Sequence, residues 1–421
     1  ISDANSIDDA IDFICTTFSG PTNQNNSITL KFEDGRIDFP SYLMTSDFMQ
    51  RSSIDVFKSD LHIAEEFNVK YENFVNYSIS IDAFENLKDL AELKIEVLHK
   101  GISKDIRFLI WPLLCNILPF HKEKRQEILK LRVNEYLSLR NQWETYSRQQ
   151  IKNFPLIQES FATIRVDVKR TYPPEPIASF PNWAGILTNI LKSFSLWNLN
   201  VRYTQGLNDI VIVFMGIFLP HVTSKEITLD EAEALIFWCF SSFIETVDVG
   251  IISENMMLSQ TVELQIISEI INEFHPTFSS WLKSHNLNDL SFLISSLMLI
   301  FSRMFPIDSI TRIWESLISS DSPKTFLRFF SASLMIHSFS SLSMMTDLSV
   351  GKITMMIEKM FIKQNIGSLI GVAVTMMNKS TNQFNEKPAK APAQFEIPEN
   401  NFFSVDMDTA LEYWTTDNLF I

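Results

Sequence analysis

Glycine is scarce in this chain, which has only 10 glycines among its 421 residues. Tight turns, bulges and sheet corners depend on glycine because it adopts backbone conformations that other residues avoid. A turn-rich sandwich or barrel is therefore disfavoured, and long helices joined by short loops are favoured. Hydrophobic residues make up 46% of the sequence, so a chain of this length can bury a sizeable core.

The helical period is clearest over residues 123–150, where apolar residues recur every three or four positions. They are Leu129, Val133, Tyr136, Leu139, Trp143 and Tyr146. This spacing predicts one apolar stripe on an otherwise solvated helix. Thr228 and Glu231 form a capping-box pattern ahead of a helix over 232–245. The longest apolar run, 210–220, is about half the length that a membrane-spanning helix needs, so we expect it to be a buried core helix.

The three cysteines, Cys15, Cys115 and Cys239, are far apart and cannot all pair. Their number and spacing favour a reducing, cytoplasmic compartment over a secreted one. No signal peptide, lipidation motif or transmembrane segment is visible. The chain begins at Ile1, which leaves open whether the natural start lies upstream.

The formal net charge is −15, from 35 Lys and Arg against 50 Asp and Glu. This balance disfavours nucleic acid and anionic membrane as primary partners. Phosphate recognition would need a local basic patch. The candidates are Arg165, Lys169, Arg170 and Arg202, although a single charge of this kind usually lies on a solvated helix face.

The N-terminal region, residues 1–60, differs from the rest. A helical pattern over 4–18 precedes alternating apolar and polar residues over 27–39, and Asp34-Gly35 marks the turn of a hairpin. We expect a small mixed module here, or the remnant of one, which could serve in recruitment. Residues 61–95 are predicted to form a helical connector, and residues 383–421 a linker with a short C-terminal helix.

The segment 164–171 places Ile164, Asp167 and Arg170 along one helical stripe. Pro173 and Pro174 follow and should end the helix, which leaves Arg170 in its last turn. Asp167, one turn earlier, can hold the arginine or another group by a hydrogen bond. An ordinary surface ion pair, worth a few tenths of a kcal/mol, explains such a pattern equally well when it stands alone.

The segment 203–209 lies at the entrance of the apolar run. Gly206 permits a backbone geometry or a close approach that a side chain would block, and Asn208 or Asp209 is expected to cap the helix. Gln205 offers both a donor and an acceptor, as positioning a water against a phosphoryl group requires. Taken alone, the segment is also consistent with a capped helix start that carries an ordinary exposed glutamine.

A third segment, 101–114, places Arg107 and Trp111 on one helical face, where they are suited to stacking. Both are expected to be structural. In this order, Arg107 with Trp111, IxxDxxR and YxQG resemble the TBC domain of Rab GTPase-activating proteins, over roughly residues 97–382. Residues 134–143 and the Trp314-Glu315 pair are similar to the subgroup with an extra N-terminal region.

The resemblance implies an all-α fold whose two helical subdomains, residues 96–235 and 236–382, form a V-shaped groove. The groove would receive a Rab-family GTPase in its GTP form. Arg170 would be the arginine finger and Gln205 would orient the attacking water, a dual-finger mechanism supplied in trans. The supporting residues would be Ile164, Asp167, Tyr203, Gly206, Asn208, Arg107 and Trp111.

The resemblance also implies that the protein holds no cofactor or metal, because GTP and Mg²⁺ belong to the partner. A cytoplasmic role in vesicle traffic is expected, and peripheral recruitment to endomembranes is left open. Two alternatives remain: a non-catalytic helical adaptor that binds a GTPase or coat component, and a purely structural helical scaffold. The sequence contains no GxxxxGK[ST] loop, HExxH or GxSxG motif.

Overall fold

The computed structural model describes residues 28–32, 35–39, 63, 66–69, 78–197, 203–247, 256–345, 348–361, 364–380 and 384. All of them lie within one compact unit, Ile1–Asn385. The predicted helix over 4–18, Arg202, the linker after 382 and the C-terminal helix fall outside the described residues. The division of 96–382 into two subdomains stays a prediction.

Two short strands, β1 (Ile28–Phe32) and β2 (Gly35–Phe39), pair in antiparallel register. Ile28 lies opposite Phe39, and Phe32 lies opposite Gly35. The alternation of apolar and polar residues predicted this pairing. The two residues that join the strands are not among those described.

Sixteen α-helices and two short 3₁₀ segments (Lys104–Ile106 and Ser291–Leu293) make up the rest of the described fold. The helices are α1 (Ile81–Glu85), α2 (Leu90–Lys100), α3 (Arg107–Leu114), α4 (Lys122–Glu144), α5 (Arg148–Asn153), α6 (Pro155–Arg170), α7 (Trp183–Trp197), α8 (Leu207–Thr223), α9 (Leu229–Val247), α10 (Met256–Phe274), α11 (Pro276–Ser284), α12 (Ile294–Met298), α13 (Ile307–Ser319), α14 (Pro323–Leu342), α15 (Val350–Phe361) and α16 (Ile366–Lys379). The all-α prediction is confirmed.

The helix starts follow local capping chemistry. At α9, the Glu231 carboxylate accepts the Thr228 N–H at 2.8 Å, and the Thr228 hydroxyl accepts the Glu231 N–H at 3.2 Å. This reciprocal pair is the predicted capping box, and it satisfies two N–H groups that the helix itself leaves free. Helix α6 begins with Pro155 at a position where a missing N–H costs nothing.

The core is built from helices that bury most of their circumference. Helix α8 buries apolar side chains on every face, as the 210–220 run predicted. Trp111, Phe214, Phe243 and Trp314 form an aromatic cluster within it, with ring centroids 4.6 Å apart for Phe243 and Trp314. In the described part of the chain, no helix is both long and apolar enough to span a bilayer.

Arg107 and Trp111 differ from the stacking that their spacing suggests. Trp111 is buried in the aromatic cluster, whereas Arg107 donates to Glu315 at 2.7 Å and contacts Asp308. The other Glu315 oxygen accepts the Ile102 N–H at 3.0 Å. Arg107 therefore ties the start of α3 to the buried carboxylate of α13, because a buried charge needs a partner of opposite sign.

Candidate functional site

Arg170 occupies the last residue of α6, as predicted. Thr171 then leaves the helical conformation, with φ −77° and ψ 130°, ahead of Pro173. The Arg170 side chain is 49% exposed, yet its Nη2 atom lies 2.5 Å from Oδ1 of Asp167. The guanidinium is therefore held in place while much of it faces solvent.

Asp167 connects the two sequence motifs. Its side chain is only 1% exposed, and its second oxygen, Oδ2, accepts a hydrogen bond from the Tyr203 hydroxyl at 2.8 Å. One buried carboxylate thus contacts both Arg170 and the residue two positions before Gln205. Hydrogen bonds to a charged acceptor are among the stronger ones in proteins, so this link fixes the motifs against each other.

Gln205 lies at the corner of a β-turn formed by residues 204–207. The Leu207 N–H donates to the Thr204 carbonyl at 3.2 Å, and Gly206 has φ +105° and ψ −14°. Those values fit a type II turn, whose third position requires a positive φ. Gln205 is exposed, and within the described residues its side chain makes no hydrogen bond to the protein.

Gly206 supplies both properties that the sequence suggested. Its positive φ favours glycine, and a Cβ built on it would lie 2.5 Å from Cδ2 of Leu299. The expectation that Asn208 or Asp209 caps the helix is wrong. Gly206 is itself the N-cap of α8 and has no side chain to accept a bond.

Asn208 instead joins the network around Asp167. Its Nδ2 donates to the Thr171 hydroxyl at 2.9 Å, and that hydroxyl donates to the Asp167 carbonyl at 2.8 Å. Asn208 also lies 3.5 Å from the Tyr203 hydroxyl. Thr171, which follows Arg170, is therefore hydrogen-bonded directly to Asn208 in the first turn of α8.

Sequence reasoning missed two residues of the site, Leu299 and Arg303. Both lie just after α12, about 90 residues beyond the second motif, and Arg303 donates to Asp209 through Nε at 2.6 Å. Arg303 is an isolated cation in an apolar stretch, and this was the only local signal of a specific partner. Neither Arg303 nor Leu299 belongs to the three sequence motifs.

The remaining predicted residues lie in the core or on the surface of the helices. Ile164 lies on the buried face of α6 and packs in the core, while Arg165 and Lys169 are exposed on the same helix. Arg107 and Trp111 serve the core described above, and the structure records no contact of theirs with Asp167.

Burial and neighbouring charges shift the pKa of two groups at the site, Tyr203 and Asp209. Burial raises the pKa of the Tyr203 phenol, and its bond to Asp167 raises the pKa further, so it stays a donor. Burial also raises the pKa of Asp209, which the Arg303 guanidinium opposes. Asp167 raises and Arg170 lowers the pKa of Asp209, so the charges of the first motif reach a carboxyl group of the second.

Chemically, the site presents an exposed guanidinium and an exposed carboxamide on a common hydrogen-bonded base. Such a pair can neutralise phosphoryl oxygens and orient a water. Among the described residues, no group of three or more His, Cys, Asp or Glu side chains could hold a metal ion.

Comparison with known families finds one match that covers more than half of the chain. Residues 104–342 match the family model of the Rab-GTPase-TBC domain. The matched span contains Arg170, Gln205, Asp167, Leu299 and Arg303.

Individual relatives share about a quarter of their aligned residues with this chain. The human protein "TBC1 domain family member 17" is 25% identical over 236 residues, which cover 55% of this chain and 34% of that protein. The Saccharomyces cerevisiae "GTPase-activating protein GYP1" is 24% identical over 311 residues, covering 67% of this chain and 46% of that protein. The chain thus spans between a third and a half of the length of these two relatives.

Among solved structures, the crystal structure of the Ypt/Rab-GAP domain of Gyp1p superposes with a TM-score of 0.58 at 18% identity. The alignment covers 76% of this chain and 99% of that domain. This likeness shows that the two chains share a helical fold.

Proposed function

The chain belongs to the Rab-GTPase-TBC domain family, and from that premise we propose that it is a GTPase activator acting on a Rab-family small GTPase. The protein completes the active site of its partner and has no substrate of its own. GTP and Mg²⁺ come with the GTPase, so the activator carries no cofactor.

Arg170 and Gln205 carry the chemistry in this proposal. The Arg170 guanidinium enters the partner's nucleotide site and stabilises charge on the phosphoryl oxygens in the transition state. The Gln205 carboxamide accepts a hydrogen bond from the attacking water and orients it. An arginine supplied in trans accelerates hydrolysis by about 10³–10⁵-fold, which corresponds to roughly 4–7 kcal/mol of barrier.

The Asp167 carboxylate is the observation that carries the proposal. It holds Arg170 directly and holds the Gln205 turn (residues 204–207) through Tyr203. A surface ion pair needs no such buried base, because exposed pairs contribute only about 0–1 kcal/mol. The buried carboxylate instead links the residue that carries one finger to the backbone that carries the other, which supports catalysis by positioning and electrostatics.

Single-turnover GTP hydrolysis with a panel of Rab GTPases tests the proposal. At saturating activator, Arg170→Ala and Gln205→Ala should each lower the rate by about 10²-fold or more while the fold is retained. Arg148→Ala, which removes an exposed arginine at the start of α5, is the control and should keep the full rate.

The result that would overturn the mechanism is full acceleration by either variant. If the unaltered chain binds a GTP-loaded GTPase tightly without accelerating hydrolysis, the adaptor alternative holds instead. If it binds none of them, the scaffold alternative holds. The cellular setting that accompanies the proposal is cytoplasmic, in vesicle traffic, with peripheral recruitment to endomembranes.

A further inference from the structure

The segment 299–303 packs directly on the Gln205 turn. Leu299 covers Gly206 so closely that a Cβ there would lie 2.5 Å from it. Ile300 and Phe301 follow with φ of +49° and +60°, a backbone that bulky residues seldom adopt. Both side chains are buried, so the core holds the unusual backbone in place.

Arg303 completes the contact from the same segment. Its Nε and Nη2 atoms lie 2.6 Å and 2.5 Å from Oδ2 of Asp209, in the first turn of α8. Asp209 is largely buried, whereas the Arg303 side chain is 52% exposed. The ion pair therefore shields the carboxylate of Asp209 and joins the first turn of α8 to a segment 94 residues away.

The Gln205 turn is consequently fixed on both sides. Tyr203, just before the turn, is hydrogen-bonded to Asp167. Gly206, within the turn, is covered by Leu299. Asp209, just after the turn, is paired with Arg303. Gln205 itself has no side-chain bond to the described protein, so its placement depends on the backbone of the turn. We propose that Arg303 is a positioning residue that acts through Asp209 to orient Gln205; this inference rests on the proposed function.

A double-mutant cycle in the single-turnover assay tests the inference. Arg303→Ala should lower the maximal rate by about 10-fold and leave the half-saturating activator concentration within about 2-fold. In the Gln205→Ala background the same change should cost less than about 2-fold, because a residue that acts through Gln205 has nothing left to position. Arg303→Lys should restore part of the rate by re-forming one bond to Asp209.

Two kinetic results would overturn the inference. A raised half-saturating concentration with an unchanged maximal rate would make Arg303 a direct contact for the partner. An undiminished loss in the Gln205→Ala background would show that Arg303 acts independently of Gln205. Lys122→Ala, which removes an exposed ion pair with Glu85, is the matched control and should change neither quantity.

Amide hydrogen exchange tests the same inference without a GTPase. The Leu207 and Asp209 N–H groups donate within the turn and the first turn of α8. Arg303→Ala should speed their exchange by about 5-fold or more, and Lys122→Ala should not. Unchanged exchange overturns the positioning role. A wild-type chain that accelerates no GTPase refutes the proposed function, and the exchange result then decides the positioning role by itself.

Discussion

The Tyr203 hydroxyl donates to the buried Asp167 carboxylate at 2.8 Å, which joins two segments 36 residues apart in sequence. Arg170 contacts the other oxygen of the same carboxylate. The two motifs are therefore one structural unit, and a change at either end of the bond should be felt at the other.

Removing the Tyr203 hydroxyl should reduce both stability and activation. Tyr203→Phe leaves an oxygen of the buried Asp167 without its donor, which we expect to cost about 1–3 kcal/mol in the free energy of unfolding. We also expect a slower single-turnover rate, though less reduced than by Arg170→Ala. Tyr146→Phe is the control, since the Tyr146 hydroxyl has no hydrogen bond to the described protein; a loss as large as that of Tyr203→Phe would contradict the prediction.

Gly206→Ala should be destabilising for two separable reasons. The positive φ costs about 1 kcal/mol for any L side chain, and the new Cβ would clash with Leu299. Adding Leu299→Ala should relieve the clash but not the backbone strain, so the double variant should lose less than the sum of the two single losses. Denaturant unfolding measures all three.

Gly351→Ala provides the matched control for that cycle. Gly351 lies in α15, and a Cβ there would meet no atom within 4 Å. Gly351 is the second residue of this helix and has no positive φ, so alanine there should not destabilise the protein. Equal losses at Gly206 and Gly351 would rule out a special role for the conformation of Gly206.

Tyr172 should contribute to partner binding. Tyr172 is 92% exposed, two residues after the end of α6, and Val166 is exposed on α6 one turn before Arg170. Exposed aromatic residues beside a site are common anchors of interfaces. Tyr172→Ala should raise the half-saturating activator concentration by about 5-fold or more and leave the maximal rate unchanged.

Met344→Ala is the control for Tyr172, because Met344 is 82% exposed at the end of α14. It should leave the half-saturating concentration unaltered. A fall in the maximal rate of Tyr172→Ala would instead place Tyr172 in the chemical step.

His337 should make stability depend on pH. Its Nδ1 donates to the Ser333 carbonyl at 2.7 Å, and its Nε2 lies 3.0 Å from the Ser368 hydroxyl. Burial lowers the pKa of His337 from 6.5 to about 4. The stabilisation from the neutral ring is therefore complete above pH 6.5 and is lost as the pH falls toward 4.

The measurement is the difference in unfolding free energy between the wild-type protein and His337→Asn at each pH. That difference should shrink by about 3 kcal/mol between pH 7 and pH 4, since one pKa unit corresponds to about 1.4 kcal/mol. Titration of other groups is common to both proteins and cancels. A constant difference across this range would contradict the assignment of a neutral ring.

Local sequence patterns predicted the helix ends, caps and turns, because these features depend on residues that are neighbours in sequence. The stop after Arg170 follows from the two prolines, and the capping box at Thr228 follows from hydrogen bonding over three residues. The positive φ at Gly206 also follows from the turn chemistry. The helical class followed from scarce glycine and from the apolar spacing of α4.

Tertiary contacts could not be read in the same way. No periodicity links Asp209 to Arg303, because the pairing depends on how α8 and the segment after α12 pack. The partner of Arg107 could not be predicted for a related reason. Glu315, whose buried carboxylate accepts a hydrogen bond from the Arg107 guanidinium, is 208 residues away in sequence.

The anchoring of Arg170 by Asp167 has an entropic consequence. A free arginine side chain carries about 2 kcal/mol of rotamer entropy, which a partner must remove when it captures the guanidinium. Here part of that freedom is already lost in the unbound protein, because Nη2 contacts a buried carboxylate. Encounter with a phosphate would therefore select among few orientations, while the N–H groups that face solvent remain available to receive it.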